Sequence, residues 1–316
     1  MEVIKDIRSR KGANLNLKGG AEKILDTTVL PSTFALRPDD FFGTIPKLLL
    51  REGARVKIGS PIYYSKKNPS IKIVSPVSGI VQNIERGPKR KIEKIIIESS
   101  DIQDSIKYSV SDWEKKNREG LKLLLAESGN WPFIHQRPYG TMANPTDTPK
   151  AIFVSTVKTD PLHGDVQFIL KDQKKDFQLG IDLLNKLVDQ PVFLGVEKIF
   201  SDYFGSIEGV QHYTVQGPHP AGNLSLHIQK LCPLNIGERI WTVNAEDVAN
   251  LGRFINSGIF CSRRTIAICG NAVEHPKYFQ TNIGADLQPF LKKVGIINQK
   301  IRVINGDVLT GETSFA

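Results

Sequence analysis

The sequence predicts an α+β chain of several domains. Its 316 residues exceed what a single hydrophobic core of ordinary size organises. Short strand patterns punctuated by Gly and Pro fill roughly the first third. Strand patterns then alternate with helical ones through the middle. Domains are expected at 1–105, 106–258 and 259–316.

With 40% hydrophobic and 24% charged residues, 26 Gly and 18 Pro, the chain is not disordered, collagen-like or coiled-coil. No apolar run approaches the roughly 18 residues of a membrane-spanning helix. The start MEVIKDIRSRKG lacks the apolar core of a signal peptide, so a soluble, intracellular chain is expected. Cys232, Cys261 and Cys269 are odd in number and widely spaced, with no C-x-x-C. That argues against a disulfide framework and against a locally ligated iron–sulfur cluster. His135, His163, His212, His219, His227 and His275 form neither H-E-x-x-H nor an i, i+4 pair, so no metal site is expected.

The first domain reads as a small sandwich or barrel. Glu52-Gly53 marks a turn, and Ile71 and Ile73 alternate around Lys72 with the period of a half-buried strand. Ser75–Gly79 is a bend, and Gly79–Glu85 and Lys91–Glu98 flank Arg86–Arg90 as a hairpin. Gly53-Ala54-Arg55-Val56-Lys57-Ile58-Gly59 and Ser75-Pro76-Val77-Ser78-Gly79-Ile80-Val81 resemble the paired signatures of biotinyl/lipoyl-type barrel–sandwich domains. Those domains present a lysine on a hairpin tip. Here Lys66-Lys67-Asn68-Pro69 stands there without the usual flanking residues, so a docking module is expected rather than a prosthetic group on Lys67.

Residues 1–100 hold 19 Lys and Arg against 10 Asp and Glu, so the entire formal excess of +9 falls there. Such a segment suits phospholipid headgroups or an acidic protein, or is a solvated basic face. The basic residues are interleaved with Ile and Val in strand patterns and no recognition motif accompanies them, so no nucleic-acid partner is expected.

In the middle, Lys150–Ser155, Pro191–Val196 and Gln211–Gln216 are short apolar strands. Asp176–Asp189 carries Phe177, Ile181, Leu184, Leu187 and Val188 at helical spacing, with Asp176 as its N-cap. Glu246–Asn256 places Val248, Leu251, Phe254 and Ile255 on one face, with Gly258 as a stop. This alternation predicts a Rossmann-like, mostly parallel sheet. Such sheets grip a dinucleotide through G-x-G-x-x-G, and neither that motif nor G-x-x-x-x-G-K-S/T occurs. The nearest loop, Gly217-Pro218-His219-Pro220-Ala221-Gly222, loses two N–H donors to its prolines. It suits a fixed wall for a neutral ligand, not a pyrophosphate cradle. The last sixty residues fit a small β-grasp, with Arg264–Cys269 and Lys300–Ile304 as strands and Asp286–Val294 as a short helix.

Several stretches, in order, resemble the A subunit of the bacterial Na+-translocating NADH:quinone reductase. They are Leu36-Arg37-Pro38, Gln136-Arg137-Pro138, Asp160-Pro161-Leu162, the Gly217–Gly222 loop, Ile283-Gly284-Ala285 and the run Val303–Gly311. The resemblance covers essentially the whole chain. It implies a peripheral subunit on the cytoplasmic face of the bacterial inner membrane, associated with ubiquinone and docked beside the B subunit in the membrane. It also implies kinship with the C subunit of the Rnf complex and the flavoprotein subunit of complex I, and a soluble-ligand-binding β-grasp at the end. Where those relatives carry a glycine-rich flavin loop, His135–Pro149 reads HQRPYGTMANPTDTP, with one glycine. Cluster cysteines are lacking too. The expectation is therefore a subunit of an oxidoreductase without flavin or iron–sulfur cluster of its own, not catalytic alone. Family members continue past a point like Gly311, so the chain, ending at Ala316, is expected to be C-terminally truncated.

A quinone needs an apolar slot with one or two hydrogen-bond donors. The candidates in the right region are His219, Asn223 and His227, with Gly222 allowing close approach beside Pro220. The alternative is a docking subunit with no ligand, cemented by its basic first domain.

Overall fold

The structure, a computed structural model, describes residues 3–197, 201–297 and 301–314. Two strands open the chain, β1 (Val3–Arg8) and β2 (Glu22–Asp26). Then come β3 (Thr33–Leu36), β4 (Pro46–Leu48), β5 (Arg55–Val56), β6 (Pro61–Ser65), β7 (Asn68–Val74), β8 (Gly79–Arg86) and β9 (Ile92–Ser99). They form a four-stranded sheet β3-β9-β8-β5 and a three-stranded sheet β4-β6-β7. Side-chain alternation decides what is buried. In β9, Ile95 and Ile97 are buried while Lys94 and Glu98 face water. Ile62, Tyr63, Ile71, Ile73 and Val81 complete the core of this barrel–sandwich. The expected hairpin is present: β8 and β9 pair antiparallel, from Gly79 opposite Ser99 to Arg86 opposite Ile92.

Next come α1 (Arg118–Glu127), β10 (His135–Arg137), β11 (Thr141–Met142), β12 (Ile152–Ser155), α2 (Val166–Leu170) and α3 (Lys174–Leu187). They are followed by β13 (Val192–Glu197), α4 (Ser201–Phe204), β14 (Gln211–Gln216), α5 (Leu224–Leu231), β15 (Ile240–Asn244) and α6 (Ala245–Ser257). The sheet runs β1-β14-β13-β12-β15-β10-β11. Strands β14, β13, β12 and β15 are mutually parallel. The chain steps outward from β12 to β14 and then returns to β15 on the other side, which is the Rossmann-like reversal. Both faces are apolar, as a parallel sheet requires. Ile152, Val154, Leu194 and Val243 pack with α3 and α6. Phe153, Phe193 and Tyr213 pack on the opposite side with Ile228 of α5.

Helices α3 and α6 meet through glycines. A Cβ at Gly180 would lie 2.0 Å from the Val248 carbonyl oxygen, and one at Gly252 1.8 Å from that of Asp176. Helix α6 stops at Gly258, whose φ is 73°. Helix α3 starts earlier than its pattern suggests. Gln173 stands at its N-cap, because the Gln173 carbonyl accepts from Phe177 N at 2.8 Å. Asp176 is thus inside the first turn, where its carboxylate complements the helix dipole and pairs with Arg253 at 3.0 Å.

The chain ends with β16 (Arg263–Ile268), β17 (Lys277–Asn282), α7 (Gln288–Val294), β18 (Val303–Asn305) and β19 (Glu312–Ser314). Phe279 of β17 meets Phe290 of α7 edge-on at 5.3 Å, the nucleus of the β-grasp. Asp286 accepts from Gln288 N at 3.1 Å at the start of α7. Of the expected strand Lys300–Ile304, Lys300 lies outside the described residues and β18 begins at Val303.

The first two strands join the other domains. β1 pairs in parallel with β14, from Val3 opposite His212 to Arg8 opposite Gln216. β2 pairs in parallel with β17. Residues 3–26 therefore strap the α/β sheet to the β-grasp.

Candidate functional site

The Gly217–Gly222 loop leaves the carboxyl end of β14 under the N-terminal strap. Ser9 N donates to Gln216 O and Ala13 N to His219 O, both at 2.9 Å. Gly222 N donates to Thr159 Oγ1 at 2.9 Å. Thr159 Oγ1 also lies 3.2 Å from His219 Nδ1, and Asp160 Oδ1 lies 3.6 Å from the same nitrogen. His219 is half-buried, and Pro220 and Asn223 are exposed. Asn223 holds the N-cap position of α5 without a side-chain cap bond.

His227 sits beneath the loop, fully buried. A carbonyl only accepts, so Nε2–H donates to Ala221 O at 2.7 Å, and the Tyr213 hydroxyl donates to Nδ1 at 3.0 Å. Burial draws this imidazole below its usual pKa, which keeps the neutral form that the two bonds require. Of the five residues expected from sequence, four stand together on the loop. His227 instead has both ring nitrogens committed to anchoring it.

In an open α/β sheet a ligand ordinarily sits where the strand order reverses, outside the carboxyl ends of β12 and β15. Here that crevice is filled by the protein. Helix α6 begins directly after β15, and Glu246 and Asp247 occupy its first turn. Glu246 Oε1 accepts from Thr265 N at 2.8 Å. The Arg264 guanidinium pairs with Asp247 and lies 5.3 Å over the Phe133 ring. Burial pushes the Glu246 carboxyl up, with Arg264 opposing. Helix α2 is closed in the same way, by Asp165 accepting from Phe168 N at 2.9 Å. Carboxylates thus stand at both positive helix ends, where a pyrophosphate would otherwise sit. The acidic pair Glu246-Asp247 is the one trace of this in the sequence.

A cleft of about 280 Å³ opens elsewhere, between the β6–β7 turn and β10–β11. Phe42, Ile71, Met142 and Ala143 supply apolar walls, and Lys67, Asn68, Gln136, Thr141 and Asn144 supply polar groups. Gln136 Nε2 donates to Thr141 Oγ1 at 3.0 Å, while Gln136 Oε1 is buried without a partner. A second hollow, lined by Leu36, Phe41, Ile73, Phe133 and Phe260, holds only about 10 Å³, room for one water at most. Strands β10 and β14 are four strand spacings apart, roughly 19 Å. One headgroup cannot touch both the cleft and the Gly217–Gly222 loop. Lys67 and the segment His135–Pro149 stand out separately in the sequence, but only the fold shows that they face each other.

Among the described residues, no group of three or more His, Cys, Asp or Glu gathers as a metal site. No helix among them is long and apolar enough to cross a membrane.

Three family models match consecutive parts of the chain. The NqrA N-terminal barrel-sandwich hybrid domain matches residues 7–100, the NqrA second alpha/beta domain 116–260 and the NQRA C-terminal domain 265–315. The chain is 32% identical over 313 residues to the A subunit of the Na(+)-translocating NADH-quinone reductase of Rhodopirellula baltica, covering 98% of this chain and 69% of that protein. The protein of the same name from Alcanivorax borkumensis is 31% identical over 314 residues, with shares of 98% and 69%. Among solved structures, an NAD+-reducing NiFe hydrogenase in the H2-reduced state aligns over 64% of this chain and 46% of that one. At 10% identity and a TM-score of 0.41, that likeness carries no argument.

Proposed function

The chain belongs to the family of the A subunit of the Na(+)-translocating NADH-quinone reductase, and from that premise we propose that it is a peripheral component of such a reductase that receives the quinone headgroup. The relatives are subunits of an oxidoreductase complex, so the partners of this chain are the other subunits. Docking beside the B subunit in the membrane, on the cytoplasmic face, is part of the same proposal, as is the lack of a flavin or iron–sulfur cluster of its own.

The cleft between the β6–β7 turn and β10–β11 carries the quinone reading. Its volume approaches the roughly 300 Å³ at which small-molecule sites begin. A quinone ring offers an apolar body and two carbonyl acceptors, and the cleft offers apolar walls with a few polar groups. A glutamine amide has both donor and acceptor ends. Gln136 therefore suits a quinone carbonyl through the Nε2 hydrogen that its bond to Thr141 leaves free.

A second reading puts the headgroup on the loop at His219, Pro220, Gly222 and Asn223, with His227 behind them. The uncommitted Asn223 amide favours it.

Calorimetric titration of the chain with a short-chain, water-soluble quinone separates the readings. Gln136→Leu is expected to weaken saturable binding about tenfold, the equivalent of one hydrogen bond, while His219→Ala leaves it unchanged. The reverse pattern moves the site to the loop. No saturable binding removes the quinone role and leaves a docking subunit without ligand.

A further inference from the structure

Strand β4 is the outer strand of the β4-β6-β7 sheet. Lys47 at its centre and Ile45 and Leu49 just beyond its ends are spaced by two, and all three are exposed on its outward side. Ile45 is 49% exposed and Leu49 48%. Across the sheet, Lys47 stands opposite Tyr64, and Tyr64 opposite Lys72. The two ammonium groups lie 5.7 and 4.9 Å from the centre of the Tyr64 ring, within cation–π range. Lys66 N donates to Ile45 O at 2.8 Å, which brings the turn residues Lys66 and Lys67 to the same edge. Phe42, 65% exposed, lies close by in the chain. The ion pairs of this domain use Arg37, Lys57, Lys91 and Lys94 instead, so Lys47, Lys66, Lys67 and Lys72 have no carboxylate partner among the described residues.

We infer that this face docks on an anionic phospholipid surface. Charge alone would suit an acidic protein. The apolar side chains are what decide between the two. Ile45 and Leu49 stand singly on either side of Lys47, too dispersed to fill a protein groove, with Phe42 at the neighbouring cleft rim. They are placed to enter the upper acyl region while the ammonium groups meet phosphates. A tyrosine at the boundary and lysine stems lying along apolar surface belong to the same interfacial pattern. The charge excess of the whole segment turns this domain toward a negative surface. Phe42 and Lys67 also line the cleft, so a lipid-soluble ligand would leave the bilayer beside its slot. That last step rests on the quinone reading, and the docking does not.

The test is flotation of the chain with vesicles of phosphatidylcholine alone, or with roughly a third phosphatidylglycerol. Binding is expected only to the anionic vesicles. It should be lost as salt rises from 0.1 M to 1 M and the Debye length falls from about 10 to about 3 Å. Lys47→Gln with Lys72→Gln is expected to weaken it about 25-fold, fivefold per lysine, and Ile45→Ser with Leu49→Ser to weaken it further. Arg86→Gln with Lys89→Gln and Arg90→Gln, on the β8–β9 turn, should change it less than about twofold. Thermal melting checks that each variant is folded, and Lys66→Gln with Lys67→Gln, exposed on a turn, replaces any that is not. Equal binding to both vesicles, or an equal loss in the β8–β9 turn variant, overturns the inference. So does attachment through Lys47 and Lys72 to the remaining subunits with no vesicle binding, which would make the partner a protein. Vesicle binding is read without quinone, so its failure leaves the quinone reading standing.

Discussion

The Nε2 of His227 lies 2.7 Å from the carbonyl oxygen of Ala221, and this bond ties helix α5 back to the loop that leads into it. The tie is closed from the sheet side by the Tyr213 hydroxyl at 3.0 Å. Tyr213 is itself fully buried. The three groups form a satisfied polar chain inside an apolar core.

His227→Ala leaves a buried carbonyl and a buried hydroxyl without partners. It should lower unfolding stability by about 2–4 kcal/mol. His227→Gln, which keeps a donor and an acceptor, should recover part of that. Urea unfolding measures both. If the headgroup sits in the cleft, quinone affinity stays unchanged in each, because the cleft lies four strand spacings from β14.

The same burial gives the protein a pH dependence. Desolvation holds His135, His212 and His227 below the usual imidazole pKa. Above about pH 6.5 they are neutral in both folded and unfolded chains and contribute nothing. Below it the unfolded chain binds protons that the folded one refuses, so stability falls on acidification by up to about 1.4 kcal/mol per pH unit per histidine. Glu246, with its carboxyl pushed up, acts in the opposite sense between its unfolded and folded pKa values. Melting temperatures at pH 7.5, 6.5 and 5.5 should decrease in that order, and His227→Gln should flatten the decline. A flat wild-type profile would show that these histidines are not kept neutral.

Gly180→Ala and Gly252→Ala should each destabilise by about 1–3 kcal/mol, although alanine is the better helix former by about 1 kcal/mol. The new Cβ would meet a backbone carbonyl at 2.0 or 1.8 Å, and a carbonyl held in the facing helix cannot swing away as a side chain can. Gly20→Ala, with nothing within 4 Å of the added carbon, should stay within about 0.5 kcal/mol of the parent. Calorimetric unfolding of the three variants side by side tests the contrast.

Arg264→Met strands the buried carboxylate of Asp247 in the reversal crevice, at an expected cost of about 3–5 kcal/mol. Adding Asp247→Asn should restore more than half of it, because the buried ion goes with its partner. Titration of the parent chain with NADH or FMN should give no saturable heat. Stoichiometric uptake of either would mean that the crevice opens.

Local chemistry was enough to read much of this fold. Gln211–Gln216 and Pro191–Val196 are apolar runs between turn residues, and they became β14 and, one residue on, β13. Glu246–Asn256 followed from one apolar helical face ending at Gly258. Asp176 misled because it is a good cap by type, while Gln173 took the cap through its own backbone. The candidate site was legible only as separate pieces. The Gly217–Gly222 loop announced itself by its prolines and Lys67 by its place on a hairpin tip, whereas Gln136 stood only within a stretch of family resemblance and nothing marked it as a site residue.

Alone, the sequence determined the strand and helix periods, the absence of a phosphate-gripping loop and the concentration of positive charge in the first hundred residues. These depend on neighbours within a few positions. The tertiary structure alone decided that β1 lies along β14 some two hundred residues later, and that Arg264 closes the reversal crevice on Asp247. It likewise decided that Lys47, Tyr64 and Lys72 form one row and that Gln136 faces the hairpin of Lys67. Strand register and interdomain burial are set by which surfaces pack best across the whole molecule, and no local pattern carries that information.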